Sequence, residues 1–413
     1  MFDDHASQAL SCYGSRINET PHIDRLAREG MRFTRCYDVN ALCAPSRATI
    51  LTGKHSHTNG FFRNGDRFDG SQTTFPKLLQ SSGYATAIIG KWHLATEPTG
   101  FDHYNVLPGH GRYWNSPMKE KGKPWVDGFQ GGIEQKGYLT DVITDLSMRW
   151  IDHRPKEKPF CLMVHHKAPH TAHHYPEKYA SLFADNDLPE PATLDDDYAT
   201  RVALADCTSA DSRLDKITPE FCQALDWDDT TTSLKLSGLA LRKWAYQRFF
   251  KGYLRLVASL DDNVGRLLDF LDSRGLSENT VVVYTSDNGF FLGDHGLFNK
   301  GWIYEEALKI PLLVRYPREI GAGSLNRGMV TTLDFAATFL DYGGVPIPGE
   351  IQGRSIRSLL RGQPPSDWRR SFYYHYYGQY GVEPHIGMRT NRYKLIHFYR
   401  HQPDTTLVGR AER

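Results

Sequence analysis

Thr280-Val281-Val282-Val283-Tyr284-Thr285 is a run of β-branched and aromatic residues that reads as a central strand, one that must be covered on both faces. Further strands are predicted over residues 31–37, 84–89, 160–164 and 311–316. Helices fall between them. Thr20-Pro21 opens one that carries Ile23, Leu26 and Ala27 and stops at Gly30, and another over 75–82 is closed by Gly83. Residues 138–153 place Leu139, Val142, Ile143, Leu146 and Trp150 on one face. A long helical region runs from 236 to 274, and 334–342 is a further helix. Strands alternating with helices predict an α/β fold, a mostly parallel central sheet flanked by helices. Residues 183–235 are polar and without period, which predicts a surface insertion. From 370 onward the pattern turns to short aromatic-rich strands, predicting a small antiparallel C-terminal subdomain. The expected division is 1–345 for the large domain and 346–413 for the small one.

Composition narrows the partners. Of the 413 residues, 40% are hydrophobic and 23% charged, as in an ordinary globular protein. A net charge of +1 gives no field for binding polyanions, so nucleic acid and anionic membranes are excluded as expected partners, and any basic site must be local. No apolar run approaches the ~20 residues of a membrane span. The cysteines, at 12, 36, 43, 161, 207 and 222, form no CxxC pair and no disulfide framework. Cys207 and Cys222 can either pair or stay as small free residues.

Cys43-Ala44-Pro45-Ser46-Arg47 places a thiol, a proline and an arginine at a predicted loop-to-helix junction. Pro45 suits a first helical turn, and the free N–H groups of such an end favour anions. Arg47 adds a fixed planar cation. A nucleophile beside anion-binding groups points to chemistry on a sulfate or phosphate, although the same five residues also suit a buried helix start. Asp287-Asn288 directly follow the central strand, where ligands of open parallel sheets bind. With Asp3 and Asp4 they give an all-oxygen set suited to a hard cation, calcium or magnesium. Taken singly, Asp3-Asp4 is a solvated acidic end and Asp-Asn-Gly a turn. Lys91, His93, His170 and Lys300 are each unremarkable alone, but three of these groups follow predicted strands at one end of the sheet.

In this order the motifs resemble the sulfatase family of the alkaline-phosphatase-like superfamily. The resemblance rests on Cys43-Ala44-Pro45-Ser46-Arg47 with Leu51-Thr52-Gly53, Thr20-Pro21-His22-Ile23-Asp24-Arg25-Leu26-Ala27, Gly90-Lys91-Trp92-His93, Ala168-Pro169-His170, Ser286-Asp287-Asn288-Gly289, and Gly293-Asp294-His295-Gly296 with Lys300. It covers nearly the whole chain. It implies that Cys43 is oxidised to formylglycine by a formylglycine-generating enzyme or an anaerobic sulfatase-maturing enzyme, and that the aldehyde hydrate is the nucleophile. Asp3, Asp4, Asp287 and Asn288, with the matured Cys43, would hold calcium, magnesium being the less favoured ion. Arg47, Lys91 and His93 would surround the hydrate, and His170 and Lys300 would bind sulfate and assist the leaving group. His295 would orient substrate. The stretch from Gly100 to Trp114 resembles sulfatases acting on N-acetylglucosamine-6-sulfate, in glycosaminoglycan or mucin glycans. There Tyr113 and Trp114 either stack on a sugar or pack the loop, and Arg112 would reach an amide or hydroxyl. His385 and Arg389 would read the sugar from the C-terminal subdomain. A periplasmic or secreted location is implied, with no signal peptide in the sequence.

Relatives carry a hydrophobic strand before Asp-Asp, where this chain has Met1-Phe2. The resemblance therefore predicts a missing central strand, from a truncated gene or fragment. A polar tail after Arg400 predicts a second truncation or a frameshift. Three other readings compete: a phosphate or phosphonate monoester hydrolase of the same superfamily, an inactive glycan-binding relic, and a thiolate hydrolase acting on carbonyls.

Overall fold

The computed structural model describes residues 1–210, 212–224, 235–399 and 411–412. The strand expected over 31–37 is two: β1 (Met31–Phe33) and β2 (Cys36–Tyr37). It breaks because the chain changes partners, β1 pairing in parallel with Ser324–Asn326 and β2 with Val330–Thr331.

β3 (Ala85–Lys91) is buried along its whole length. β4 (His103–Leu107) and β7 (Phe160–His165) flank it, both parallel. β5 (Pro117–Glu120) and β6 (Ile133–Glu134) continue outward from β4 in antiparallel fashion. A second sheet runs in the order Ser324–Asn326, β1, Leu312–Arg315, β8 (Val282–Thr285). Residues 1–3 lie between the two sheets. The Met1 amino group donates to the Val164 carbonyl at 2.8 Å, and the Phe2 N–H to the Thr285 carbonyl at 3.0 Å. Phe2 and Asp3 bridge in parallel to Ser286 and Pro169. The strands around the centre are thus parallel, as expected, and antiparallel pairs lie outward. Leu312–Arg315 is antiparallel to both neighbours. The chain leaves β8 at its carboxyl end, builds a long loop there and re-enters the sheet from that same end.

Helices cover both faces. α1 (Pro21–Glu29), Leu139–His153 and the 36-residue Gly238–Ser273 lie on one. α2 (Cys43–Thr52), Phe75–Ser81 and Asp334–Tyr342 lie on the other. The period-two alternation of strands divides the core accordingly. Leu312 and Val314 join Ala44, Phe75 and Phe335, whereas Leu313 joins Ile23, Leu26 and Tyr253. Gly90 is required where β3 meets β7. Its φ is +110°, and a Cβ there would sit 1.9 Å from the His165 carbonyl oxygen.

One further expectation needs correction. The stretch 183–235 is more than a surface insertion: Leu188, Leu194 and Leu214 are buried in the core, with Tyr198 and Leu204 under the C-terminal sheet. Its residues 211 and 225–234 lie outside the described residues. Cys207 and Cys222 are both free, and the Cys207 thiol donates to the Gly381 carbonyl. The C-terminal sheet is antiparallel as expected, formed by Ser371–Tyr376, His385–Thr390 and Lys394–Phe398. The polar tail over 400–410 lies outside the described residues.

Candidate active site

The carboxyl ends of β3, β7 and β8 converge on the amino end of α2, and residues 1–4 run into the same place. Each element delivers its side chains there directly. β3 ends on Lys91, β7 leads to Lys167 and His170, β8 to Asp287 and Asn288, and α2 begins with Cys43 and carries Arg47 one turn on. Asp4 and His93 have left-handed backbones, φ +63° and +61°. Such conformations in non-glycine residues concentrate at functional sites.

Asp3, Asp4, Asp287 and Asn288 are all buried. Arg47 donates from Nε and Nη2 to Asp287 Oδ2 at 3.0 and 2.8 Å, and from Nη1 to the Lys91 carbonyl at 2.6 Å. The N–H groups of Asp4 and Asn288 donate to Asp287 Oδ1 at 3.1 and 2.9 Å. Lys300 Nζ donates to both Asp4 oxygens at 2.5 and 2.6 Å, and Lys91 pairs with Asp3. The Cys43 thiol lies 3.8 Å from Asp4 Oδ1, and His170 Nε2 lies 3.6 Å from Asp4 Oδ2. Against the cost of burial, Lys91, His170 and Arg47 hold Asp3 well below the usual carboxylate range. Burial and the Asp3 charge push Asp287 up, with Arg47 opposing. Burial works against the Lys300 ammonium, yet Asp4 holds it well above the usual lysine range.

Asp3 Oδ1 and Asn288 Oδ1 are buried and accept no hydrogen bond among the described residues. Orphaned oxygens beside two more carboxylates fit a hard divalent cation. One ligand atom each from Asp3, Asp4, Cys43 and His170 also lies within 4.8 Å of the others, a set more suggestive of zinc. Burial and Asp3 push the free Cys43 thiol well above its usual range, so as a cysteine without a metal it is a poor nucleophile.

The structure brings Cys43, Arg47, Lys91, His93, His170, Lys300, Asp3, Asp4, Asp287 and Asn288 into this one centre. The five residues expected to bind the sugar are not gathered there. His295 bonds Asp196 through Nδ1 at 2.7 Å, held by the 183–224 segment. Arg112 is exposed and donates to the Asn115 carbonyl at 2.9 Å. Trp114 is 46% exposed and lies over Tyr138. His385 is fully buried among Tyr374, Tyr376 and Phe398, because the alternation of its strand turns it inward. Arg389 pairs with Glu305 at 3.1 Å and ties the C-terminal sheet to the large domain. Tyr113 packs the loop rather than presenting a stacking face: it is buried, and its hydroxyl donates to the His170 carbonyl at 2.6 Å.

Three residues in or beside the centre escaped the sequence reading. His110 accepts from Lys91 Nζ at 3.0 Å. Lys167 donates to the Thr171 carbonyl at 2.8 Å and is pushed down to about 7 by burial and then by Lys91. Asn64 Oδ1 accepts the Ala44 N–H at 3.0 Å in the first turn of α2, while its Nδ2 donates to the Tyr380 hydroxyl at 3.1 Å. For His110 the available signal was a histidine between two glycines just past a strand end.

The sulfatase family profile matches residues 1–345, and that of the N-sulphoglucosamine sulphohydrolase C-terminal region matches residues 293–412. The chain is 44% identical to an N-acetylglucosamine-6-O-sulfatase of Bacteroides thetaiotaomicron, over 97% of this chain and 77% of that protein. It is 29% identical to the N-acetylglucosamine-6-sulfatase of Homo sapiens, over 85% of this chain and 62% of that one. Its fold matches, with a TM-score of 0.87 and 43% identity, a protein solved in complex with its substrate D-glucosamine-2-N,6-O-disulfate, over 98% of this chain and 88% of that chain. A phosphonate monoester hydrolase from Silicibacter pomeroyi matches with a TM-score of 0.75 at 22% identity, over 96% and 86%, a likeness of fold alone. The chain belongs to the sulfatase family, enzymes that hydrolyse sulfuric esters.

Proposed function

We propose that this chain removes the 6-O-sulfate of N-acetylglucosamine or a related glucosamine in a sulfated glycan. The observation that carries the reading is the packing of Cys43 at the head of α2, 3.8 Å from Asp4, inside a ring of Arg47, Lys91, His170 and Lys300. Similarity to N-acetylglucosamine-6-sulfatases and to a protein bound to a glucosamine disulfate supports the choice of sugar.

A formylglycine at position 43, made by a maturing enzyme of the host, would supply the nucleophilic hydroxyl as its hydrate, the proton of that hydroxyl passing to Asp287, and would let sulfate depart afterwards. Asp3, Asp4, Asp287 and Asn288 would hold a calcium ion, which would supply Lewis-acid charge to offset the ester's negative charge. Lys91, Lys300 and Arg47 add fixed positive charge in a buried setting, where it acts most strongly on a transferring anion. His170 gives a proton to the departing sugar oxygen. Burial pushes the free imidazole down, with Asp3 opposing and Lys91 and Lys300 adding to the fall. An arriving sulfate ester brings negative charge that favours the protonated form. His93 takes the proton released when sulfate leaves; burial, then Lys91, pushes the free imidazole down. A periplasmic or secreted location fits a glycan substrate and is checked by cell fractionation.

Two measurements test the reading. Mass spectrometry of the Cys43 peptide is expected to show an aldehyde in place of the thiol. Cys43→Ala is expected to lose all turnover on glucosamine-6-O-sulfate, with aryl phosphate a poor substrate for the wild type. A retained thiol in fully active protein, or wild-type-like turnover by the alanine variant, would falsify it.

A further inference from the structure

We infer that His110 is a third imidazole of the reaction centre, positioning Lys91 through Nδ1 and donating its Nε2–H to an oxygen of the sulfate ester. The inference rests on the sulfatase reading above. Lysine ammonium is a donor only, so the 3.0 Å contact with Lys91 Nζ makes His110 Nδ1 the acceptor. The neutral ring then carries its proton on Nε2. That nitrogen has no protein partner among the described residues, on a residue that is only partly buried.

The ring lies between the two imidazoles of the mechanism. Its centroid is 4.3 Å from that of His93 and 4.6 Å from that of His170. The backbone holds it there. Gly109 and Gly111 flank it with φ of +78° and +70°, and a Cβ on either would press on Phe129 at 3.3 Å or Leu107 at 2.9 Å. A donor fixed by its own neighbour needs no reorganisation when charge develops on the ester. Lys91, already paired with Asp3, receives from His110 a second anchor that sets where its ammonium points.

The test compares His110→Phe, which keeps a ring between the imidazoles and removes both nitrogens, with His110→Asn, which keeps one acceptor and one donor. Inorganic sulfate is titrated by calorimetry onto the calcium-loaded wild type and both variants, and kcat and KM are measured on glucosamine-6-O-sulfate. His110→Phe is expected to weaken sulfate binding about tenfold or more, the range of a lost hydrogen bond to a charged group. It is expected to lower kcat/KM at least as much, with an unchanged melting temperature, and His110→Asn is expected to restore most of both. Nitrogen-15 spectra of the wild type are expected to show His110 as the Nε2–H tautomer, its signal moving as sulfate is added. Equal sulfate affinity in wild type and His110→Phe overturns the inference, even where the wild type hydrolyses the sugar. Equal losses in both variants point to ring packing and also overturn it. Weakened sulfate binding in His110→Phe alone, beside a wild type that turns over no sulfate ester, upholds His110 as the donor and sinks the reading of the reaction instead.

Discussion

Arg47 shows how much of the site depends on one side chain. Its guanidinium clamps Asp287, reaches the Lys91 carbonyl and lies 3.9 Å from Asp3, all in buried surroundings. Arg47→Met leaves buried carboxylates without that partner, and such losses cost about 3–5 kcal/mol. The urea midpoint of the variant is expected to fall accordingly. Arg47→Lys restores charge without the planar fork and is expected to recover only part of it. His385 governs a pH effect. Burial lowers its pKa from 6.5 to about 4 in the folded chain, so on acidification the unfolded chain takes up the proton first. Stability therefore rises with pH between 4 and 6.5, and falls as pH drops through that window. His5, His166 and His173, each lowered to about 3 by burial, add slopes of the same sign. The His385 share is about 3 kcal/mol. Urea stability of His385→Phe is expected to depend less steeply on pH between 6.5 and 4, and a slope equal to that of wild type contradicts this.

Among the elements, β3 depends most on a single atom that is absent. Gly90 lets β3 approach β7 so closely that an added Cβ would meet the His165 carbonyl at 1.9 Å, with φ already at +110°. Strain of a left-handed residue and overpacking add, so Gly90→Ala is expected to cost more than about 3 kcal/mol. A melting temperature within a degree or two of wild type would contradict the expectation. The same close approach brings Lys91 and Lys167 to one end of the sheet, so this variant is also expected to lose activity before it unfolds. The element boundaries were partly readable in the chain. Pro21 marks the start of α1 because its fit to the first helical turn is a local rule, whereas Gly30 ends it in extended backbone where a Cβ would lie 2.3 Å from the Val314 carbonyl oxygen. Residues 31–37 misled because the break between β1 and β2 is set by partners some three hundred residues later.

For the whole molecule, the decisive feature is that the buried carboxylates come from the β8 sheet and from the segment between the sheets, with a lysine of the β3 sheet facing them. Asp3 and Asp4 sit on the segment between them, Asp287 and Asn288 at the end of β8, and Lys91 at the end of β3. A cation held by those oxygens would tie the N-terminal segment to the end of β8. Linkage then predicts a gain of about 2.7 kcal/mol at a calcium concentration 100-fold above Kd. Treatment with a chelator is expected to lower the melting temperature by several degrees and added calcium to restore it. A melting temperature that neither treatment moves would count against a resident metal.

The residue types at the centre were readable from chain order. A cysteine and arginine one helical turn apart, carboxylates after a strand, and lysines and histidines past other strand ends are local facts with local physical causes. The inward or outward direction of the sugar-binding candidates was not readable. His385 and Arg389 lie four residues apart on one strand, yet one is sealed among aromatic rings and the other pairs with Glu305. His110 carried no period at all and became part of the site only when β4 was laid beside β3. Local sequence sets which chemistry a segment can offer, because caps, turns and strand ends act over a few residues. Which side chains meet depends on sheet order and close packing between distant segments, and that information exists only in the folded chain.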